Sequence, residues 1–183
     1  MLNKKYIAIV GVGLFLGLLV FSGTARADDI HLTPNQLERV KSICLSSESS
    51  LNQLHSNDAL LRVNVGQSYE SISNRLMKRF NSRVSYNNLN NSALVASTNE
   101  YDKSLDIFRN SYRDYETSLS SLISLKCDES PAEFYALLES TRAKRTNVRA
   151  NVENINAQLE NYSAEVNNFD TNYRSVAGQG ENE

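Results

Sequence analysis

The chain has 183 residues, 40% hydrophobic and 22% charged, with only seven glycines and two prolines. Between Gln67 and Ala177 there is one proline and no glycine, which excludes an all-β domain with its frequent turns and points to long uninterrupted helices. The formal charge of −2 at pH 7 gives no general electrostatic reason to bind nucleic acid or an anionic membrane.

The N-terminus reads as a targeting segment. Lys4 and Lys5 form a positive region, Tyr6 to Phe21 an apolar run of 16 residues, and Ala25-Arg26-Ala27 offers small residues for signal peptidase. Cleavage would leave Asp28 first; the alternative is an uncleaved anchor, for which 16 residues fall short of the roughly 20 a spanning helix needs. Removal of residues 1–27 takes away three cations and no acid, so the charge becomes −5.

The first helix is expected over residues 33–85. Thr33 is a cap, Pro34 suits the first helical position, and Gln36 can reach back to the cap. Leu37, Val40, Cys44, Leu51, Leu54, Leu61 and Val65 hold a helical stripe that Ser47 and Asp58 interrupt, and Asn64 to Gly66 marks an expected kink. Tyr69, Ile72, Leu76, Phe80 and Val84 continue the stripe. Four asparagines in Asn87-Asn88-Leu89-Asn90-Asn91 signal a turn.

A second helix, 93–126, follows with Leu94, Tyr101, Leu105, Phe108, Tyr112, Tyr115, Leu119 and Leu122 on one face. Ser130-Pro131-Ala132-Glu133 then opens a third, 131–174. Its stripe is Phe134, Leu138, Thr141, Val148, Val152, Ile155, Leu159, Tyr162, Val166, Phe169 and Tyr173, a coiled-coil-like repeat broken only by Arg145. The polar stretch 176–183 is expected to be a disordered tail.

Cys44 and Cys127 are the only cysteines, and in an exported chain a disulfide is favoured over two buried thiols. If they bond across a helical hairpin, the turn falls at their midpoint, between residues 85 and 86, where the asparagine cluster begins. Each arm is then about 40 residues, roughly 60 Å, and the third helix completes an all-α, elongated antiparallel three-helix bundle.

Candidate chemistry is sparse. His55-Ser56-Asn57-Asp58 contains triad residue types, but neighbours on a helix point apart, so the stretch reads as helical surface. Neither His31 nor His55 has metal-ligand spacing to the cysteines, and no cofactor motif occurs. Pairs such as Glu160 and Glu165, or Asp128 and Glu129, have no spacing that marks acid–base work. Two basic runs, Arg75, Lys78, Arg79 and Arg83, and Arg142, Lys144, Arg145 and Arg149, are either solvated faces or patches for an anionic partner such as a wall polymer or lipid head groups. In the hairpin layout they lie at different heights. The tyrosines on or beside the stripes, Tyr69, Tyr101, Tyr112, Tyr115, Tyr135, Tyr162 and Tyr173, read first as core that keeps its hydroxyls at the edge.

Along Leu61-Arg62-Val63-Asn64-Val65-Gly66-Gln67-Ser68-Tyr69-Glu70-Ser71-Ile72-Ser73-Asn74-Arg75-Leu76 and Cys127-Asp128-Glu129-Ser130-Pro131-Ala132-Glu133-Phe134-Tyr135, the chain resembles exported helical proteins of small-genome episymbiotic bacteria of the Saccharibacteria type. That resemblance implies a bacterial cell-envelope location and carries over no catalytic or binding residue. The expectation is therefore a non-enzymatic exported envelope or secreted protein acting as an interaction or structural module. The alternative is an extracytoplasmic chaperone-like or wall-binding helical module. A protein or cell-wall partner fits either, with membrane contact only through an uncleaved N-terminal segment; the oligomeric state stays open.

Overall fold

The computed structural model describes residues 32–177; the signal-like segment 1–27 and the tail residues 178–183 lie outside the described residues. Within them the chain is all-helical. The elements are α1 Pro34–Ser42, α2 Cys44–Ser71, a π segment Ile72–Met77, α3 Lys78–Tyr86, α4 Ser92–Ser124 and α5 Pro131–Ala177. Among the described residues no helix is long and apolar enough to cross a membrane.

The capping box at the first start forms as its residues dictate. The Thr33 hydroxyl accepts from the Gln36 backbone N–H at 3.4 Å, and the Thr33 N–H donates to Gln36 Oε1 at 2.8 Å. No kink appears at Asn64–Gly66: α2 runs through it, because one glycine costs only about 1 kcal/mol in a helix held by its neighbours. The interruptions lie elsewhere. One is a turn at Ile43, immediately before Cys44.

The other is the π segment, where the Lys78 N–H bonds to the Ser73 carbonyl, five residues back. That wider turn rotates the next residues by about one position. Leu76, expected on the stripe, is 63% exposed, while Met77 is 1% exposed and takes its place beside buried Ser73.

Every asparagine of the turn has a defined task. Asn88 adopts φ 56°, the left-handed conformation this residue type tolerates, and it ends α3 in a paired closure. Leu89 N–H bonds back to the Val84 carbonyl at 3.1 Å and Asn88 N–H to that of Ser85 at 2.9 Å. The Asn87 side chain donates to the Arg83 carbonyl, Asn90 accepts from the Ser92 N–H, and Asn91 donates to the Asn81 carbonyl.

Sequence-distant contacts then order the helices. Cys44 and Cys127 are disulfide-bonded, with their Cα atoms 5.6 Å apart. Asp58 meets Tyr115, the Tyr101 hydroxyl donates to the Tyr69 carbonyl, and Asn81 donates to Thr98, so α2 and α3 both contact α4. Between α4 and α5, Ser118 bonds Thr141, Ser111 bonds Asn151 and Ser104 bonds Asn154, at 2.8 to 2.9 Å. These small residues let α4 and α5 approach closely. α2 and α5 stand farther apart: no Cα of one lies within 8 Å of a Cα of the other, and long side chains bridge the space between them.

The buried side chains form two clusters. Cys44, Leu51, Tyr112, Tyr115, Leu119, Leu122, Cys127 and Phe134 pack at the disulfide end. Met77, Val84, Leu94, Tyr101, Leu105, Phe108, Ile155 and Tyr162 pack toward the asparagine turn. The division falls between Phe108 and Tyr112, level with Asp58 and Arg145.

Candidate functional site

The two charges that break their stripes, Asp58 and Arg145, find each other. Arg145 Nε donates to Asp58 Oδ2 and Nη2 to Oδ1, both at 3.2 Å. The Tyr115 hydroxyl donates to the same Oδ2 at 2.7 Å, and the Tyr112 hydroxyl to the Asp58 carbonyl at 3.3 Å. The Asp58 side chain is 13% exposed and that of Arg145 54%, so the carboxylate lies inside the bundle and the guanidinium reaches in from its surface. Burial first, and then the hydrogen bond to Asp58, push the Tyr115 phenol well above its ordinary pKa. The bond to Asp58 likewise raises the pKa of the Arg145 guanidinium. The group is an ion pair locked by a tyrosine rather than a proton-transfer relay.

Above this pair the space between α2 and α5 opens into a groove of about 620 Å³. Leu61, Val65, Phe108, Val148 and Val152 line its apolar part. Arg62, Arg142, Arg145 and Arg149 stand around it. Arg62 lies over the Tyr112 ring, 5.2 Å from its centroid. Arg142 and Arg149 pair along their own helix with Glu139 at 2.6 Å and Glu153 at 3.4 Å. Pairs this exposed hold their partners weakly, and the arginines can turn to another anion.

Of the two basic runs, one is therefore gathered at a groove and the other is not. Lys78 turns aside to Asp102 at 2.8 Å. Arg75, Arg79 and Arg83 lie on the exposed face of the π segment and α3. Asn81 of α3 meets Tyr162 of α5, which is 17 residues, or roughly 25 Å, along the helix from Arg145, so the runs do not merge. Lys144 is exposed and does not line the groove. Arg62 belongs to neither run; its spacing of four from Asp58 is the signal that puts it on the same face.

The tyrosines divide in the same way. Tyr101, Tyr112, Tyr115 and Tyr162 are buried and Tyr69 and Tyr135 half-buried, while Tyr173 is exposed. Among the described residues no group of three His, Cys, Asp or Glu is placed to hold a metal ion. No protein-family model, no curated protein and no solved structure matches the chain.

Proposed function

We propose that the chain is a non-enzymatic exported interaction module. It is an elongated, coiled-coil-like antiparallel three-helix bundle, α1 to α3 up, α4 down and α5 up, that receives a partner in the groove between α2 and α5. The observation that carries this is the groove itself: an apolar floor left uncovered because α2 and α5 stand apart, ringed by four arginines. A surface of this kind suits the apolar face of an acidic amphipathic helix.

Export is supported by the signal-like N-terminus and by a disulfide, a bond that persists in oxidising compartments. An envelope location also accords with the resemblance to exported helical proteins of the Saccharibacteria type. A non-enzymatic role is supported by Asp58, the one carboxylate within His55-Ser56-Asn57-Asp58, being committed to Tyr115 and Arg145.

Leu60, Leu61 and Val63, all strongly exposed on α2, favour a second reading, a chaperone-like module that grips unfolded clients. A photo-crosslinking residue at position 61, with position 120 on α4 as control, separates the two in intact cells. A dedicated partner gives one discrete adduct from position 61 that weakens when Arg142 and Arg149 become glutamate. A holdase gives many adducts insensitive to those changes, and no adduct from position 61 in cells refutes both.

A further inference from the structure

The charge of the chain is unevenly distributed. From Ser71 to Asn99 there are four cations, Arg75, Lys78, Arg79 and Arg83, and no acid. Three more cations lie in residues 1–27, so the rest of residues 28–183 holds twelve against all 21 acids. The end of the bundle that carries the asparagine turn is thus a basic cap on an acidic rod.

Three of the four cations are not engaged in ion pairs. Lys78 is held by Asp102, but among the described residues no carboxylate lies within 4 Å of the Arg75, Arg79 or Arg83 guanidiniums. The acids nearest this end in the fold are Glu100, bound by Lys103; Asp102, bound by Lys78 and Ser73; Glu165; and Asp170, bound by Arg174. The three arginines recur at every fourth residue and so share one helical face. Leu76, 63% exposed, and Tyr86, 89% exposed, stand on that face among them. Leu89 within the turn and Val95 just past it add exposed apolar surface.

We propose that this end of the bundle docks on an anionic phospholipid bilayer, with Arg75, Arg79 and Arg83 meeting head-group phosphates while Leu76 and Tyr86 enter the interfacial layer. Local charge prevails over the net charge because fields are screened beyond about 8 Å at physiological ionic strength. Arginine beside exposed Tyr and Leu is the composition of an interfacial anchor. Contact with a hydrated anionic polymer would use the guanidiniums alone and leave the apolar pair without a role.

The described residues 32–177 fall within one compact unit, so a chain begun at Asp28 with its disulfide intact is the form to test. It is co-sedimented with vesicles of phosphatidylcholine alone and with 30% phosphatidylglycerol, at low and physiological salt. Binding is expected only to the phosphatidylglycerol vesicles and to weaken with salt. R75Q/R79Q/R83Q lowers the partition coefficient about a hundredfold, at close to 1 kcal/mol per arginine near an anionic surface. L76S/Y86S lowers it about tenfold, and R142Q/R149Q leaves it unchanged. All these side chains are exposed, and unaltered circular dichroism verifies folding.

Equal binding to both vesicle types, or undiminished binding by the triple arginine variant, overturns the proposal. So does binding to soluble polyglutamate that is as tight as to vesicles and indifferent to L76S/Y86S, which would identify an anionic polymer as the partner class.

Discussion

Asp58 and Arg145 stand where two helical stripes call for apolar residues, and the energetics of the site can be worked out atom by atom. Asp58→Ala removes the only acceptor of the Tyr115 hydroxyl, whose side chain is almost wholly buried, and an orphaned buried donor costs about 1–3 kcal/mol. The Tyr112 hydroxyl bonds the backbone and survives the change. Arg145, half exposed, is rehydrated at little cost. The expected loss is therefore close to 2 kcal/mol, nearly all of it from Tyr115. Arg145→Leu alone leaves a mostly buried carboxylate with one side-chain donor and should cost about 1–2 kcal/mol, less than a fully buried pair because the guanidinium is partly solvated. The triple change Asp58→Leu, Tyr115→Phe, Arg145→Leu removes every polar group together and completes both stripes. It should equal or exceed the wild type by about 1–3 kcal/mol. Urea unfolding followed by circular dichroism at pH 7, disulfide intact, measures all three. A triple variant whose loss equals the sum of the single losses refutes the reasoning, since independent contributions rather than mutual satisfaction would then hold the cluster.

Replacing Cys44 and Cys127 with serine opens a loop of sequence separation 83 and should lower stability by about 4–5 kcal/mol through loop-closure entropy; hydrogen exchange should show α1 and the 125–134 loop opening first. Burial raises the phenol of Tyr101 from 10.0 to about 12 and pushes Tyr115, Tyr112 and Tyr162 in the same direction. The folded chain thus holds these protons more tightly than the unfolded one, so their contribution is intact well below pH 10, declines from about pH 10 as the unfolded phenols ionise, and is lost as pH rises toward 12; urea midpoints should be level between pH 8 and 9 and lower at pH 11. A Cβ added at Gly66 meets nothing within 4 Å, so Gly66→Ala should raise the unfolding free energy by about 0.5–1 kcal/mol, and a loss instead would mean that the helix does not run through this position.

What the residues disclose by themselves depends on how far apart the interacting partners lie. The Thr33 capping box, the Asn87–Asn91 turn and the Pro131 start are legible because each is decided within a few positions. The π segment is not: Leu76 and Met77 are both apolar, and only contact with the other helices selects Met77. Asp58 and Arg145 are an intermediate case, each visible as a break in its own stripe but 87 positions apart. Their meeting nonetheless follows from two folds of the chain. With Cys44 opposite Cys127, Asp58 falls opposite Arg113, between Tyr112 and Tyr115, its observed partners. Turning the chain back about the α4–α5 loop, centred between Cys127 and Asp128, sets Arg113 opposite Arg142, one turn short of Arg145. A single disulfide and a loop midpoint therefore bring the two interruptions to the same height. An acid and a base that each spoil a separate seam and yet coincide across it are better understood as a compensated pair than as two defects, and the groove opens where that pair takes the place of packing.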